Sequence, residues 1–339
     1  MQSVQNVQQN EFISTLSKYI NLGCLSKIDI FLAAVNPMWP FYKNASQIAK
    51  MFHASRSSSI GAEVTITIPE YNGSNRSVLK IKSYLQTHLE NEIYASILHG
   101  SLATDEEIGY SDFDALVILR DTVFETNAVL SKVGKHLSHC YALMIEFDPL
   151  QHHGWFVMTE SDLKNYPSHY FPIEILPYSR SLTGTSQLNI KSEQSGPDKN
   201  SLIKLIKSLE KQLKSEVIPS NRYMAKGLLS EFMLLPAFFI QKITGKGIFK
   251  KFSFDTARPY FTFEEWQVMD EVSQIRIQWD ASPVSSSINT QSMVTPLMKR
   301  RQKNLSGAIP LTIENAFKNG LKSRMLSFVY AVKNKSNEN

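Results

Sequence analysis

Cysteine is almost absent from this chain of 339 residues: Cys24 and Cys140 are the only two. Two cysteines without His or Cys at ligand spacing give neither a zinc site nor a disulfide framework. Both read as small buried apolar residues. Long apolar runs are missing as well. The longest candidate, Met233–Ile240, is short and holds Pro236, which predicts no membrane span. Residues 1–10 are rich in Gln and Asn, and no basic segment leads into an apolar run. That predicts no secretory leader and a cytoplasmic protein. No internal repeat and no low-complexity composition is visible, which leaves a globular chain long enough for two or three packed units.

Charge is unevenly divided. Residues 1–190 hold 13 Lys and Arg against 18 Asp and Glu, and residues 191–339 hold 23 against 13, so halves of −5 and +10 make the net +5. An acidic half facing a basic one suits a phosphate-bearing substrate, although a basic solvated surface gives the same count.

Three helices are expected in the first sixty residues, at Glu11–Ile20, Lys27–Val35 and Phe41–His53, divided by Asn36-Pro37 and Trp39-Pro40. The alternation over Val64–Ile68 predicts a strand, and apolar spacing over Ser77–Asn91 a helix capped by Ser74 or Ser77. Strands are expected at Ile93–Leu98 and Ala115–Leu119, and a helix at Thr122–Leu137. Tyr141–Asp148 reads as a strand that turns at Pro149 and returns through Trp155–Met158. Thr159 to Asp162 has the form of a capping box. The polar segment Thr183–Ser201 reads as a boundary, and helices follow at Leu202–Val217, Tyr223–Ile243, Thr262–Arg276 and Leu311–Val332. Loops are expected at Phe249–Phe263 and Ala281–Thr295. The fold class is therefore α+β: a small mixed sheet with helices over residues 61–190, an N-terminal helical extension over 1–60, and a mainly helical domain over 191–339.

Chemistry concentrates at two places. Asp112-Phe113-Asp114 enters a strand, where residues two apart share a face, so both carboxylates converge while Phe113 turns into the core. Two carboxylates roughly 4 Å apart repel by about 4 kcal/mol at an effective dielectric near 20, which calls for a cation. Magnesium suits the pair, because it takes one or two carboxylates together with phosphate oxygens. Gly100-Ser101 ends the preceding strand, where glycine lets backbone approach a phosphate and the serine hydroxyl donates to it. Glu146 interrupts the apolar segment Ile145-Glu146-Phe147 and is the expected third carboxylate, with Asp148 as its substitute.

Leu98-His99-Gly100-Ser101, ten intervening residues, Asp112-Phe113-Asp114, an apolar strand and then Ile145-Glu146-Phe147 together resemble the signature of the nucleotidyltransferase superfamily that includes DNA polymerase beta and the aminoglycoside nucleotidyltransferases. The likeness spans residues 77–165. It implies that Gly100 and Ser101 open a helix holding the nucleotide phosphates, that Asp112 and Asp114 bind magnesium, two ions in number, and that Glu146 serves as ligand or base. Many members carry Arg and Gly shortly after the Ser, where this chain has Ala103-Thr104-Asp105, a less basic phosphate side. The implied reaction moves a nucleoside monophosphate from a nucleoside triphosphate, ATP by default, to an acceptor hydroxyl with release of pyrophosphate. A small-molecule acceptor is favoured. A toxin-like enzyme acting on RNA or protein, or a catalytically silent nucleotide-binding regulator, is the alternative.

Weaker features have plainer readings beside them. Lys226 is a candidate for the triphosphate, or an ordinary exposed lysine. His152-His153 could be metal ligands but lack a third ligand at suitable spacing and read as surface histidines; Asp105-Glu106-Glu107 could extend the metal site but reads as a solvated loop. Gly245-Lys246-Gly247 with Lys250-Lys251 could cradle phosphate, and Lys299-Arg300-Arg301 with Lys303 could touch nucleic acid, but both read as basic loops; Tyr260, Phe261, Trp266 and Trp279 could stack a base but read as core.

Overall fold

The computed structural model describes residues 12–14, 16, 17, 20, 62–192, 200–279 and 306–338. The helices expected at Lys27–Val35 and Phe41–His53 and the loop at Ala281–Thr295 fall outside the described residues, as do Cys24 and Lys299–Arg301. The fold is α+β, with small sheets in the first part and helices beyond residue 200.

In chain order, β1 (Glu63–Thr67) is followed by α1 (Arg76–Leu89), β2 (Ile93–His99), β3 (Asp114–Leu119), α2 (Asn127–Phe147), β4 (Phe156–Thr159), β5 (Arg180–Gly184) and β6 (Gln187–Lys191). Four strands form one sheet in the order β4-β3-β2-β5, and β1 pairs with β6 in a separate antiparallel ribbon. β2 is antiparallel to β3 and β5, while β4 runs parallel to β3. A parallel neighbour needs a crossover, and α2 supplies it. Alternation along β3 sends Ala115, Val117 and Leu119 to the face covered by α1 and α2. Leu116 and Ile118 go to the opposite face, against the ribbon and the 3₁₀ turns at Glu160–Asn165 and Ile173–Tyr178.

Helical ends follow their capping chemistry. Asn75, rather than a serine, caps α1, its side chain accepting from the amides of Ser77 and Val78. Thr159 and Asp162 form the expected capping box, opening a 3₁₀ turn. The main correction concerns residues 141–148. They are not a strand but the last turns of α2, a helix of 21 residues that begins at the Thr126 cap. A short apolar run bounded by a turn does not distinguish strand from buried helix by periodicity, and Ala142, Leu143, Met144 and Glu146 are good helix formers. Pro149 ends the helix, because the residue before a proline is disfavoured in helical conformation. Asp148 accordingly adopts φ −128° and ψ 101°.

The polar segment from Thr183 is likewise not a plain linker, since β5 and β6 lie partly within it. The second part comprises α3 (Ser201–Lys214), α4 (Arg222–Phe232), α5 (Leu235–Thr244), α6 (Lys250–Ala257), α7 (Phe263–Ile277), α8 (Leu311–Lys318) and α9 (Leu321–Glu338). α4 and α5 divide the expected Tyr223–Ile243 helix at Met233-Leu234, with Pro236 in the first turn of α5. Gly320, at φ 85°, divides α8 from α9. α6 and the turn Arg258–Tyr260 occupy the segment expected as an aromatic loop. The expectation that no segment is long and apolar enough for a membrane span needs revision. Residues 222–244 reach that length, and an 18-residue window within them has a mean hydropathy of 1.3. Their apolar side chains, Leu228, Leu229, Phe232, Leu235 and Phe239 among them, pack in the helical core.

That core also takes in Tyr110 and Leu150 from loops of the first part. The Tyr110 hydroxyl donates to the Lys226 carbonyl at 2.6 Å and lies 2.8 Å from Ser230 Oγ. The acidic loop is thereby tied to α4.

Candidate active site

Gly100 is the first fixed point. It follows β2 at φ 72° and ψ −156°, a conformation that side chains other than hydrogen resist. A Cβ placed there would lie 2.5 Å from Asp114 Oδ2. β2 and β3 pair His99 with Asp114, so the glycine lies directly against the carboxylate. The turn that follows is a single 3₁₀ turn, Ser101–Ala103, instead of the helix the resemblance implied. Ser101 Oγ donates to Ser111 Oγ at 3.0 Å, and Ser111 Oγ accepts the Ile108 amide at 2.9 Å, which fixes the loop ahead of the acidic pair. Gly100→Ala is expected to lower stability by about 2 kcal/mol or more, the cost of the strained backbone with a carboxylate displaced. Urea denaturation checks this value, and a loss below about 0.5 kcal/mol would mean that the turn relaxes freely.

Asp112 and Asp114 flank Phe113, whose ring is fully buried. Gln151 holds this segment: its side chain accepts the Phe113 amide at 2.9 Å and donates to the Phe113 carbonyl at 2.8 Å and to the His153 carbonyl at 2.8 Å. One buried amide thus binds the acidic pair and the following turn together. His153 Nε2 lies 3.0 Å from Asp114 Oδ1 and 3.8 Å from Asp112 Oδ2. The two carboxylates therefore face one shared position, which remains partly open to water. The reading of His152 and His153 as surface residues is corrected on both counts. His153 stands between the acids, and His152 stacks on Tyr223 at 4.1 Å with its Nε2 3.0 Å from the Tyr223 carbonyl.

The third carboxylate is Asp148. Glu146 is not near the pair; it lies exposed on α2 and pairs with Lys80 of α1 at 2.8 Å. Once residues 141–147 are helical, the alternation that favoured Glu146 no longer applies, and the extended Asp148 turns its carboxyl inward. Asp148 Oδ1 accepts the Leu150 amide at 3.0 Å. Its Oδ2 lies 2.7 Å from Lys226 Nζ, and the same ammonium stands 2.5 Å from Asp112 Oδ1. Lys226 is fully buried, not an exposed lysine. Its ammonium lies 5.1 Å from the centre of the Tyr110 ring, and the Arg276 guanidinium 4.8 Å from it.

Burial raises each of these acids, and neighbouring cations decide the outcome. Against burial, Lys226 pulls Asp112 below the ordinary carboxylate range. The hydrogen bond and charge of His153 hold Asp114 well below it. Burial prevails at Asp148, which is pushed up to about 7. Burial opposes charge on His153, but Asp114 and Asp112 raise it to about 9. His99, enclosed by Phe156 and Phe171, is driven down to about 4 by burial. Because the His153 value in the folded protein lies above the ordinary 6.5, its stabilising charge is fully present below pH 6.5 and is lost as pH rises through about 9. The thermal midpoint is expected to fall between pH 7 and pH 10, and to fall less in His153→Gln. Equal slopes in the two proteins would mean that the imidazolium adds nothing.

Two more cations approach from the helical part. Lys250, in the first turn of α6, is lowered to about 8, chiefly by burial and then by Arg276, while Asp114 and Asp112 oppose the shift. Among the described residues no ion pair or hydrogen bond engages the Lys250 ammonium, and Arg276 Nε is buried without a hydrogen-bond partner. Lys250 belongs to the basic segment weighed as a phosphate cradle and read as a loop, whereas Arg276 near a helix end carried no distinguishing mark in the sequence. Asp105, Glu106 and Glu107 form an exposed loop, as expected, with Glu106 paired to Lys251.

Carboxylate oxygens are the hard donors magnesium prefers, and one or two of them with substrate phosphates complete its usual shell. Asp112 and Asp114 meet that requirement at the position His153 now neutralises. Among the described residues no group of three or more His, Cys, Asp or Glu is arranged to hold a metal by itself. No family model matches the chain, and no curated protein matches its sequence. The motif and its geometry are what any functional reading stands on.

Proposed function

We propose that the chain is a nucleotidyltransferase that moves a nucleoside monophosphate from a nucleoside triphosphate to an acceptor hydroxyl and releases pyrophosphate. The observation that carries the reading is the convergence of Asp112 and Asp114 on one position beside the tight Gly100 turn. Asp112 and Asp114 would hold magnesium, which when bound neutralises phosphate charge and polarises the phosphorus under attack. Lys250, within electrostatic reach of Asp114 and Asp112, and Arg276 beside it are cations without an anionic partner among the described residues and suit the phosphates of the donor. They would make up for the absence of the basic residue expected near Thr104. Asp148 keeps Lys226 in place beside Asp112 and takes the third-carboxylate position expected of Glu146. With three acids and this many cations retained, a silent regulator is the less economical reading.

The test is incubation of the full chain with each α-labelled nucleoside triphosphate, magnesium, and in turn a panel of small hydroxylated molecules, proteins and total RNA. Label is expected to become covalently attached to one class, with pyrophosphate in equal amount. Absence of transfer to every class, with no nucleotide bound, would overturn the reading.

A further inference from the structure

Tyr178, Phe249 and Phe252 form an aromatic group that belongs to none of the three cores. Tyr178 stacks on Phe249 with ring centres 4.8 Å apart and planes at 18°, and Phe252 meets Tyr178 edge-on at 5.1 Å. Tyr178 is 38% exposed and Phe252 40%, so large ring surfaces face water while Phe249 backs them. The group is built in advance. Gly247 donates its amide to Glu174 Oε1 at 3.2 Å, bringing the loop before α6 against the turn Ile173–Tyr178. A Cβ on Gly247 would displace the Glu174 carboxylate and lie 3.0 Å from Pro172 Cβ, so the absence of a side chain at 247 suits this close approach.

The residues around the rings are cationic. Lys246-Gly247-Ile248-Phe249-Lys250-Lys251-Phe252 interleaves lysine with aromatics, and Arg180 follows Tyr178 by two residues. A half residue-turn offset matters here: positions 250 and 252 of a helix lie on opposite sides. Lys250 is in electrostatic reach of Asp112 and Asp114, while Phe252 meets Tyr178. α6 therefore shows a cation to the carboxylates and a ring face to the outside. A ligand using both has to pass around a helix about 10 Å across. An aliphatic protein segment would gain little from the lysine border, whereas a strand of nucleic acid uses rings for its bases and lysines for its backbone. The half of the chain from residue 191 carries +10, complementary to such a strand.

We infer that the Tyr178, Phe249 and Phe252 face, bordered by Lys246 and Lys251, docks a single-stranded nucleic acid whose end reaches the Asp112 and Asp114 cleft. This rests on the transferase reading for the fate of that end, though the docking itself is separable from it. It assigns the acceptor to nucleic acid in place of the small molecule favoured from sequence. Lys251 exchanges its present partner, Glu106, for backbone phosphate.

Fluorescence anisotropy with a labelled strand of about 12 nucleotides, its DNA counterpart and the matching duplex tests the inference on the full chain. Single strands are expected to bind at least about tenfold more tightly than duplex. Phe252→Leu and Tyr178→Leu are each expected to weaken single-strand binding about tenfold. Lys246→Glu should weaken it and reduce its salt dependence. Both Leu variants keep an apolar side chain at an exposed position, and unchanged circular dichroism confirms their fold. Should Tyr178→Leu fail to fold, Phe252→Leu and Lys246→Glu decide the matter. Duplex bound as well as single strands, or ring variants bound like the parent, would overturn the stacking face, as would an apolar peptide captured where no strand binds. Strand binding with neither nucleotide transfer nor nucleotide bound would leave this face standing and remove the transferase reading. Transfer to a small molecule without strand binding would do the reverse.

Discussion

Lys226→Met is expected to cost about 3–5 kcal/mol of stability at pH 7.5, the largest loss from any single substitution considered. The ammonium lies 2.5 Å from Asp112 and 2.7 Å from Asp148 within a cluster closed by Tyr110 and α4. Without it, two buried carboxylates face each other with no cation between them. One must take up a proton, and Asp148, already raised to about 7 by burial, is the one that does. The sign of the pH response follows. An acid whose folded pKa lies above its unfolded value weakens the fold as pH rises through that interval, so the variant regains stability on acidification. The parent carries the same trend from Asp148, but Asp112, which Lys226 holds below its ordinary value, supports the fold above that value, and the variant loses this support. The deficit of Lys226→Met is therefore expected to shrink between pH 7.5 and pH 5. Adding Asp148→Asn removes one of the opposed charges and should recover at least about 1 kcal/mol. Urea denaturation of the single and double variants at both pH values measures all of this. A deficit under about 1 kcal/mol, or one independent of pH, would show that Lys226 does not compensate the acids.

The parts of the site that were legible in sequence are those set by short-range rules. Strand alternation places Asp112 and Asp114 together with Phe113 between them, and a glycine ending an apolar strand marks the sharp turn at residue 100. The fold class was legible for the same reason, since two-residue and three-to-four-residue spacings change character near residue 200. What failed did so where a local pattern admits two structures. The run 141–147 satisfies a buried strand as well as a helix, and choosing the strand brought Glu146 forward over Asp148. The informative mark was Pro149, which stops a helix and turns the residue before it outward from the helical path. His153, Gln151, Lys250 and Arg276 reach the site only through tertiary packing. Nothing in a His-His pair beside a turn, or in a lysine at the start of a short helix, distinguishes such residues from solvated ones. A similar limit applies to Lys226, visible as a candidate for phosphate but placed by the fold against two carboxylates.

Asp114→Asn separates chemistry from folding at this cluster. The substitution keeps shape and removes the charge that raises His153 and that stands 3.0 Å from it. Stability at pH 7 is expected to fall by only about 1 kcal/mol, the scale of one partly exposed charged hydrogen bond. On the transferase reading proposed above, nucleotidyl transfer is by contrast expected to fall at least about a thousandfold, because a site for concentrated phosphate charge would depend on both carboxylates to hold its cation. Two further readings go with it. The His153 imidazole should titrate closer to 6.5 in Asp114→Asn, which proton NMR detects directly. In the parent, added magnesium should likewise lower the His153 value, since a divalent cation and an imidazolium compete for the same two carboxylates. If magnesium leaves the His153 titration unmoved while Asp114→Asn shifts it, the carboxylates serve the histidine alone. The pair would then be a structural ion cluster instead of a metal-binding centre.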